Sequence, residues 1–177
     1  MTNLSDDSYV DRNLAKKVYF TFLIFSFLWV LLIFIAPLLA DSGGIYSKMS
    51  DFIYIFFSKV CHQESNRSFH FSDHILGVCS RCVWIYIGFF AGILVYPLKY
   101  RLNNTNSPNL MFLIAVSFIL FLDVILDLTG ILKNSFLSRS ITGFLTGLML
   151  PFYLLPGFVK FFHEINSFLR NKMSYKN

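Results

Sequence analysis

The sequence predicts an all-α membrane protein, a polytopic bundle of four transmembrane helices plus one interfacial amphipathic helix, and three observations carry that prediction. Apolar residues make up 55% of the chain and charged residues only 14%, an inventory that cannot cover a water-exposed exterior. The apolar residues gather into runs of roughly 20, the length that crosses about 30 Å of hydrocarbon. No soluble segment between these runs is long enough for a separate domain, so residues 18–162 are expected to form a single transmembrane domain without internal repeats.

The elements follow in order. Met1 to Lys17, with Asp6, Asp7, Asp11, Arg12, Lys16 and Lys17, reads as a polar cytoplasmic tail or short surface helix. Val18 to Ala40 carries no charge and forms the first span. A cleaved signal peptide is the rival, but the apolar run is too long and Leu38 suits a cleavage site poorly. Asp41-Ser42-Gly43-Gly44 breaks the helix. Ile45, Met49, Phe52, Ile53, Phe56 and Val60 then recur at helical spacing, with Lys48, Asp51 and Lys59 on other faces. Too short and too charged to span, this stretch is the expected interfacial helix, and it delivers the chain to Cys61. A second span runs from about Cys82 to Leu98, a third from Leu110 to about Leu128 and a fourth from about Ile141 to Phe162, with a basic cytoplasmic tail over 163–177. Pro97, Pro151 and Pro156 are expected to kink or end helices. Gly88/Gly92 and Gly143/Gly147 allow close helix approach, for packing inside the bundle or, as the alternative, for a homo-oligomer.

Charge fixes the expected orientation. Arg12, Lys16, Lys17, Lys99, Arg101, Lys160, Arg170, Lys172 and Lys176 fall on one side of four spans, against Lys48, Lys59, Arg67, Arg81, Lys133 and Arg139 on the other. The richer side is cytoplasmic, which puts both termini inside and the loop 61–82 outside. The net charge of +5 is scattered, with no basic run. Nucleic acid is therefore excluded as a partner, and the lipid bilayer accounts for the surplus.

The chemistry concentrates in VCHQESNRSFHFSDHILGVCSRC, Val60 to Cys82, which holds all three cysteines. Cys79 and Cys82 have the spacing of a zinc knuckle or of a redox pair, and the helix start and Arg81 favour thiolate. Adding Cys61 and His62 completes a Cys₃His set that would close a tetrahedral site for a zinc-like metal ion. Adjacent ligands are awkward on a helix, since neighbouring side chains diverge by about 100°. Either the chain at Cys61 is non-helical, or His62 stays off the metal and leaves a position open for water or substrate. An odd number of cysteines fits a clustered site better than disulfide staples, although a thiol–disulfide pair remains the alternative. His70 and His74 read as polar residues of the loop surface.

Asp123 and Asp127 lie at i and i+4 in an apolar run and share one helix face. Ionisable groups inside a span usually face a bundle interior and a partner. Arg139 and Arg81 are the candidates, and all four map to the end that carries the cysteine loop. Arginines there could grip phosphate through paired donors.

At CHQESNRSF, CSRCVWIYIGFFAG, DVILDLTG and SRSITGFLTG, the chain resembles the small prokaryotic membrane proteins grouped as domain of unknown function family 2085. The resemblance covers most of residues 61–147 and implies a site at Cys61, His62, Gln63, Arg67, Cys79, Arg81, Cys82, Asp123 and Arg139, in a prokaryotic cytoplasmic membrane. It implies no reaction. The chain departs from the pattern at Trp84, Val124 and Asp127. Three functions are expected to compete: a metal-binding protein whose site is structural or acts on a lipid headgroup or other membrane-embedded substrate, with Asp123, Arg139, Arg81 and Arg67 as catalytic candidates; a thiol–disulfide carrier; and a non-catalytic interaction subunit.

Overall fold

A computed structural model describes residues 11–71 and 73–174. The first ten residues of the expected N-terminal tail, and Lys176 of the C-terminal tail, lie outside them. Six α-helices are found among the described residues: α1 Arg12–Ala40, α2 Gly44–Ser58, α3 Ser80–Lys99, α4 Leu110–Leu128, α5 Phe136–Met149 and α6 Pro151–Ser174. Between α2 and α3 lies a small hairpin, β1 His70–Phe71 paired antiparallel with β2 His74–Ile75. Four stretches are long and apolar enough to cross a membrane, with α5 and α6 together supplying the fourth.

Helix α1 starts earlier than the apolar run. Asp11 caps it, its Oδ1 accepting the Asn13 N–H at 3.0 Å, so Lys16 and Lys17 sit on helical turns. A side-chain acceptor at this position satisfies an orphan N–H that would otherwise fray the first turn. At its other end Gly43 and Gly44 take positive φ values of 70° and 57°, which reverses the chain. The amphipathic α2 then folds back along α1. Ser50 Oγ donates to the Ala36 carbonyl at 2.7 Å, Phe57 is fully buried beside Ile33, and the rings of Phe56 and Phe57 both meet Trp29 at 5.4 Å.

The centre of the molecule is the pair α3 and α5. A Cβ placed on Gly92 would come 2.5 Å from the Leu148 carbonyl oxygen, and one on Gly143 would come 2.6 Å from that of Arg81. Gly88 and Gly147 are blocked in the same way by the backbone at Phe144 and Ile85. The two small-residue faces are therefore pressed against each other, and the backbones approach as only glycine permits. These glycines therefore serve packing inside the bundle, the first of the two readings.

The fourth span is longer than expected and interrupted. Pro151 has no N–H to continue the ladder, and its ring clashes with the preceding turn; α5 stops at Met149 and α6 begins at Pro151. By contrast α4 buries no residue and packs chiefly on α5, so its apolar faces belong to lipid. Tyr19, Tyr96, Phe152 and Leu155 pack at one end of the bundle, where α1 starts and α3 finishes. The opposite end gathers Ile33, Phe57, Cys61, Val78 and Val83 around the cysteine loop.

Candidate metal centre

Two arms of chain meet at this second end. The first leaves α2, and Cys61 sits one turn past it, with its N–H still bonded to the Phe57 carbonyl at 2.9 Å. The second enters α3, with Cys79 as the extended residue just before the helix and Cys82 in its first turn. Gln63 ties the arms together. Its backbone takes a left-handed turn at φ 53°, and its amide nitrogen donates to the Tyr54 carbonyl at 3.0 Å and the Gly77 carbonyl at 2.7 Å. Tyr54 adds a bond from its hydroxyl to the Ile75 carbonyl at 2.5 Å. Gly77 sits in a tight place, since a Cβ there would come 3.3 Å from the Phe57 ring.

The three sulfurs consequently lie within 4.8 Å of one another, all as free thiols. The Cys79 N–H donates to Cys61 Sγ at 3.2 Å. Cys61 ionises first: hydrogen bonds from the Cys79 and Cys82 thiols, reinforced by the N–H groups of Cys79 and Gln63, hold it well below the usual thiol range despite its burial. The Cys79 thiol is pushed up, chiefly by its bond to Cys61. His62, expected as the fourth ligand, is exposed and does not join the sulfurs. The chain at 61–64 is non-helical, with Cys61 buried in the core and His62 exposed at the rim of the cavity. His70 and His74 stay on the loop surface, His74 Nε2 lying 2.8 Å from Asp41 Oδ1 and His70 Nε2 3.2 Å from Ser65 Oγ.

The sulfurs share a cavity of about 190 Å³ with His62, Gln63, Glu64, Arg67, Arg81 and Arg139. Behind its arginines stands an ionic ladder supplied by α4. Arg81 Nη2 donates to Asp123 Oδ2 at 2.5 Å, and Arg139 Nη2 donates to Asp127 Oδ2 at 2.9 Å. Asp123 also accepts from Ser138 Oγ at 2.5 Å and Thr142 Oγ1 at 3.4 Å. Asn134 closes the ladder, its N–H on Asp127 Oδ1 at 3.2 Å and its amide on the Asp123 carbonyl at 2.6 Å. Arg67 pairs with Glu64 at 3.0 Å and lies 4.0 Å from Asp127. A carboxylate inside a span is tolerable when every oxygen has a donor, and these do. Asp123 is not among the residues lining the cavity, whereas Arg67, Arg81 and Arg139 are.

Asn134, Ser138 and Thr142 escaped the sequence reading. Ser138 and Thr142 do stand in the SRSITGFLTG segment, one helical turn apart and flanking Arg139. Trp84, one of the departures, packs edge-on against Phe144 of α5 at 6.0 Å.

A helical bundle with membrane-spanning segments and a cysteine-rich polar centre at one end defines a class of integral membrane protein. Residues 61–153 match the family described as "Predicted membrane protein (DUF2085)", and the chain belongs to that family. It is 33% identical over 152 residues to an uncharacterised protein of Methanocaldococcus jannaschii, covering 84% of this chain and 97% of that one. An uncharacterised protein of Methanothermobacter thermautotrophicus is 34% identical over 95 residues, 52% of this chain and 81% of the other. No solved structure matches the chain.

Proposed function

We propose that this protein holds a zinc-like metal ion through Cys61, Cys79 and Cys82 at the outer face of a prokaryotic cytoplasmic membrane, with both termini in the cytoplasm. The observation that carries this reading is the meeting of three sulfurs from two arms within 4.8 Å of one another. Metal–sulfur bonds of about 2.3 Å at tetrahedral angles require sulfurs about 3.8 Å apart, so a small contraction suffices. Soft thiolates select zinc, copper(I) or iron, and the N–H bonds to Cys61 resemble the outer-shell donors that orient metal ligands.

Three protein ligands would leave one position of a tetrahedral ion unfilled, and all three cysteines line the cavity. If His62 swings in, the site is closed and structural. If it does not, the ion offers a Lewis-acid position to a lipid headgroup or another membrane-embedded substrate. Arg67, Arg81 and Arg139 then serve as cationic donors beside it, and Asp123 positions Arg81.

Metal analysis of the purified protein tests the reading. The wild type is expected to carry about one thiophilic ion per chain, and a Cys61/Cys79/Cys82 triple Ser variant none; equal metal content in the two overturns it.

A second reading draws on the hydrogen-bonded free thiols, with Cys79 and Cys82 cycling between dithiol and disulfide and Cys61 as mixed-disulfide partner. Alkylation before and after reduction separates the two, because thiols that stay fully reduced in oxidising buffer exclude the carrier.

A further inference from the structure

Two features beside the sulfur cluster take no part in holding an ion. The first is an apolar collar. The loop that carries Cys79 is tied to α1 at Ile33, whose carbonyl accepts the Gly77 N–H at 3.4 Å. Beyond Ile33, α1 continues uncharged from Phe34 to Ala40, about 10 Å further at 1.5 Å per residue. Folded against it, α2 turns Ile45, Phe52 and Ile55 outward, each more than 60% exposed. On the other side of the cavity, Leu128, Ile131 and Leu137 are 72%, 70% and 68% exposed. Side chains of this kind around a polar centre belong in hydrocarbon, while Lys59 and Lys133 among them have stems long enough to reach water.

The second feature is a crevice of about 270 Å³ between α1 and α3, lined by apolar and aromatic groups including Phe25, Trp29, Tyr86 and Phe89. It shares no lining residue with the cavity but borders the next turn of the same helix. Arg81 and Ile85, like Cys82 and Tyr86, are four residues apart and so stack on the same face of α3, about 6 Å from one level to the next. Tyr86 packs directly against the cluster that contains Cys61.

The three arginines of the cavity are ion-paired with Glu64, Asp123 and Asp127, yet the Nε groups of Arg81 and Arg139 are buried without a hydrogen-bond partner among the described residues. Each guanidinium has five N–H groups. Arg81 and Arg139 each meet an α4 carboxylate through a single nitrogen, Nη2, and those carboxylates stand outside the cavity wall that the arginines line. Paired donors of this sort match the oxygens of a phosphate.

We propose that the cavity and crevice together form the berth of a membrane lipid with an anionic phosphate head. The lipid enters sideways from the cysteine-side half of the bilayer, sets its head against Arg67, Arg81 and Arg139, and lays one hydrocarbon chain between Trp29 and Phe89. This rests on the reading of the cavity as open to a membrane-embedded substrate, and it names that substrate's class.

The test is native mass spectrometry of the protein released from nanodiscs holding phosphatidylglycerol and diacylglycerol with the same chains in equal amounts, with metal content and unfolding midpoint measured on each sample. The wild type is expected to retain phosphatidylglycerol at least about tenfold over diacylglycerol, the effect of one charge-assisted contact. Arg67→Gln is expected to lose about tenfold by removing the most accessible guanidinium, and Ser26→Phe to lose as much by filling the crevice; Ser26→Leu serves if the larger ring prevents folding. Equal retention of the two lipids overturns the head contacts, and displacement by water-soluble glycerol 3-phosphate at the same concentration overturns the chain contact. Folded Arg67→Gln and crevice variants that hold lipid like the wild type overturn the berth. Selective retention by a wild-type protein that carries no metal upholds the berth while refuting the metal reading.

Discussion

At the scale of single residues, the ionic ladder decides what the site tolerates. Asp123 receives donors from Arg81, Ser138 and Thr142 and is itself nearly enclosed. Replacing it by Asn removes the charge that Arg81 faces and strands a guanidinium with little access to water. Breaking one side of a buried ion pair costs about 3–5 kcal/mol, so Asp123→Asn is expected to lower the unfolding midpoint sharply in mild detergent. Arg81→Gln in the same background should recover part of that loss, because no unpaired charge is left; a double variant no better than the single would show that the pair does not act as a unit. The ladder was half legible beforehand. A carboxylate inside an apolar run calls for a cation, which named Arg81 and Arg139, but spacing along the chain could not say which arginine meets which aspartate. The role of Gln63 was equally hidden, since a glutamine that clips two loops through backbone carbonyls leaves no periodic trace.

At the scale of elements, the strongest packing is glycine against backbone. The obstacle facing a side chain at Gly147 is the main chain of α3 at Ile85 and Phe89, which cannot rotate away. Gly147→Ala is expected to cost about 1–3 kcal/mol or more through overpacking. Gly157→Ala, where nothing lies within 4 Å of the added carbon, should be neutral or gain about 0.5–1 kcal/mol of helix propensity. Unfolding of the two variants side by side checks the contrast, and similar midpoints would refute it. The third span was readable from its apolar run, Leu110 to about Leu128, and the structure adds its cap, Asn109 Oδ1 accepting the Met111 N–H at 3.0 Å. The fourth was not, because hydropathy runs unbroken across Leu150 and Pro151 while the backbone ladder does not. Nor could periodicity show that α2 doubles back on α1, which is fixed by contacts such as Ser50 to Ala36 that lie 14 residues apart.

At the scale of the whole molecule, the two ends of the bundle differ in kind. One carries the sulfurs and the ladder; the other closes on tyrosines and the basic segment around Arg12, Lys16 and Arg101. The surplus of basic residues is the ground on which we propose that this second end faces the cytoplasm. A cysteine introduced at Asn66 is therefore expected to react with a membrane-impermeant maleimide in intact cells, and one at Ser107 only after lysis; both positions are exposed. Labelling in the reverse order would invert the topology and move the proposed metal centre to the reducing side of the membrane. The ladder also constrains how this arrangement is assembled. Helix α4 has no buried residue to anchor it, and the partner of Asp127 is Arg139, which lies beyond the following turn. Without the segment that follows Leu128, Asp127 lacks its nearest cation and keeps only the longer approach to Arg67. Helices α4 and α5 are therefore expected to enter the lipid as a joined pair, with Asp127 neutralised by Arg139.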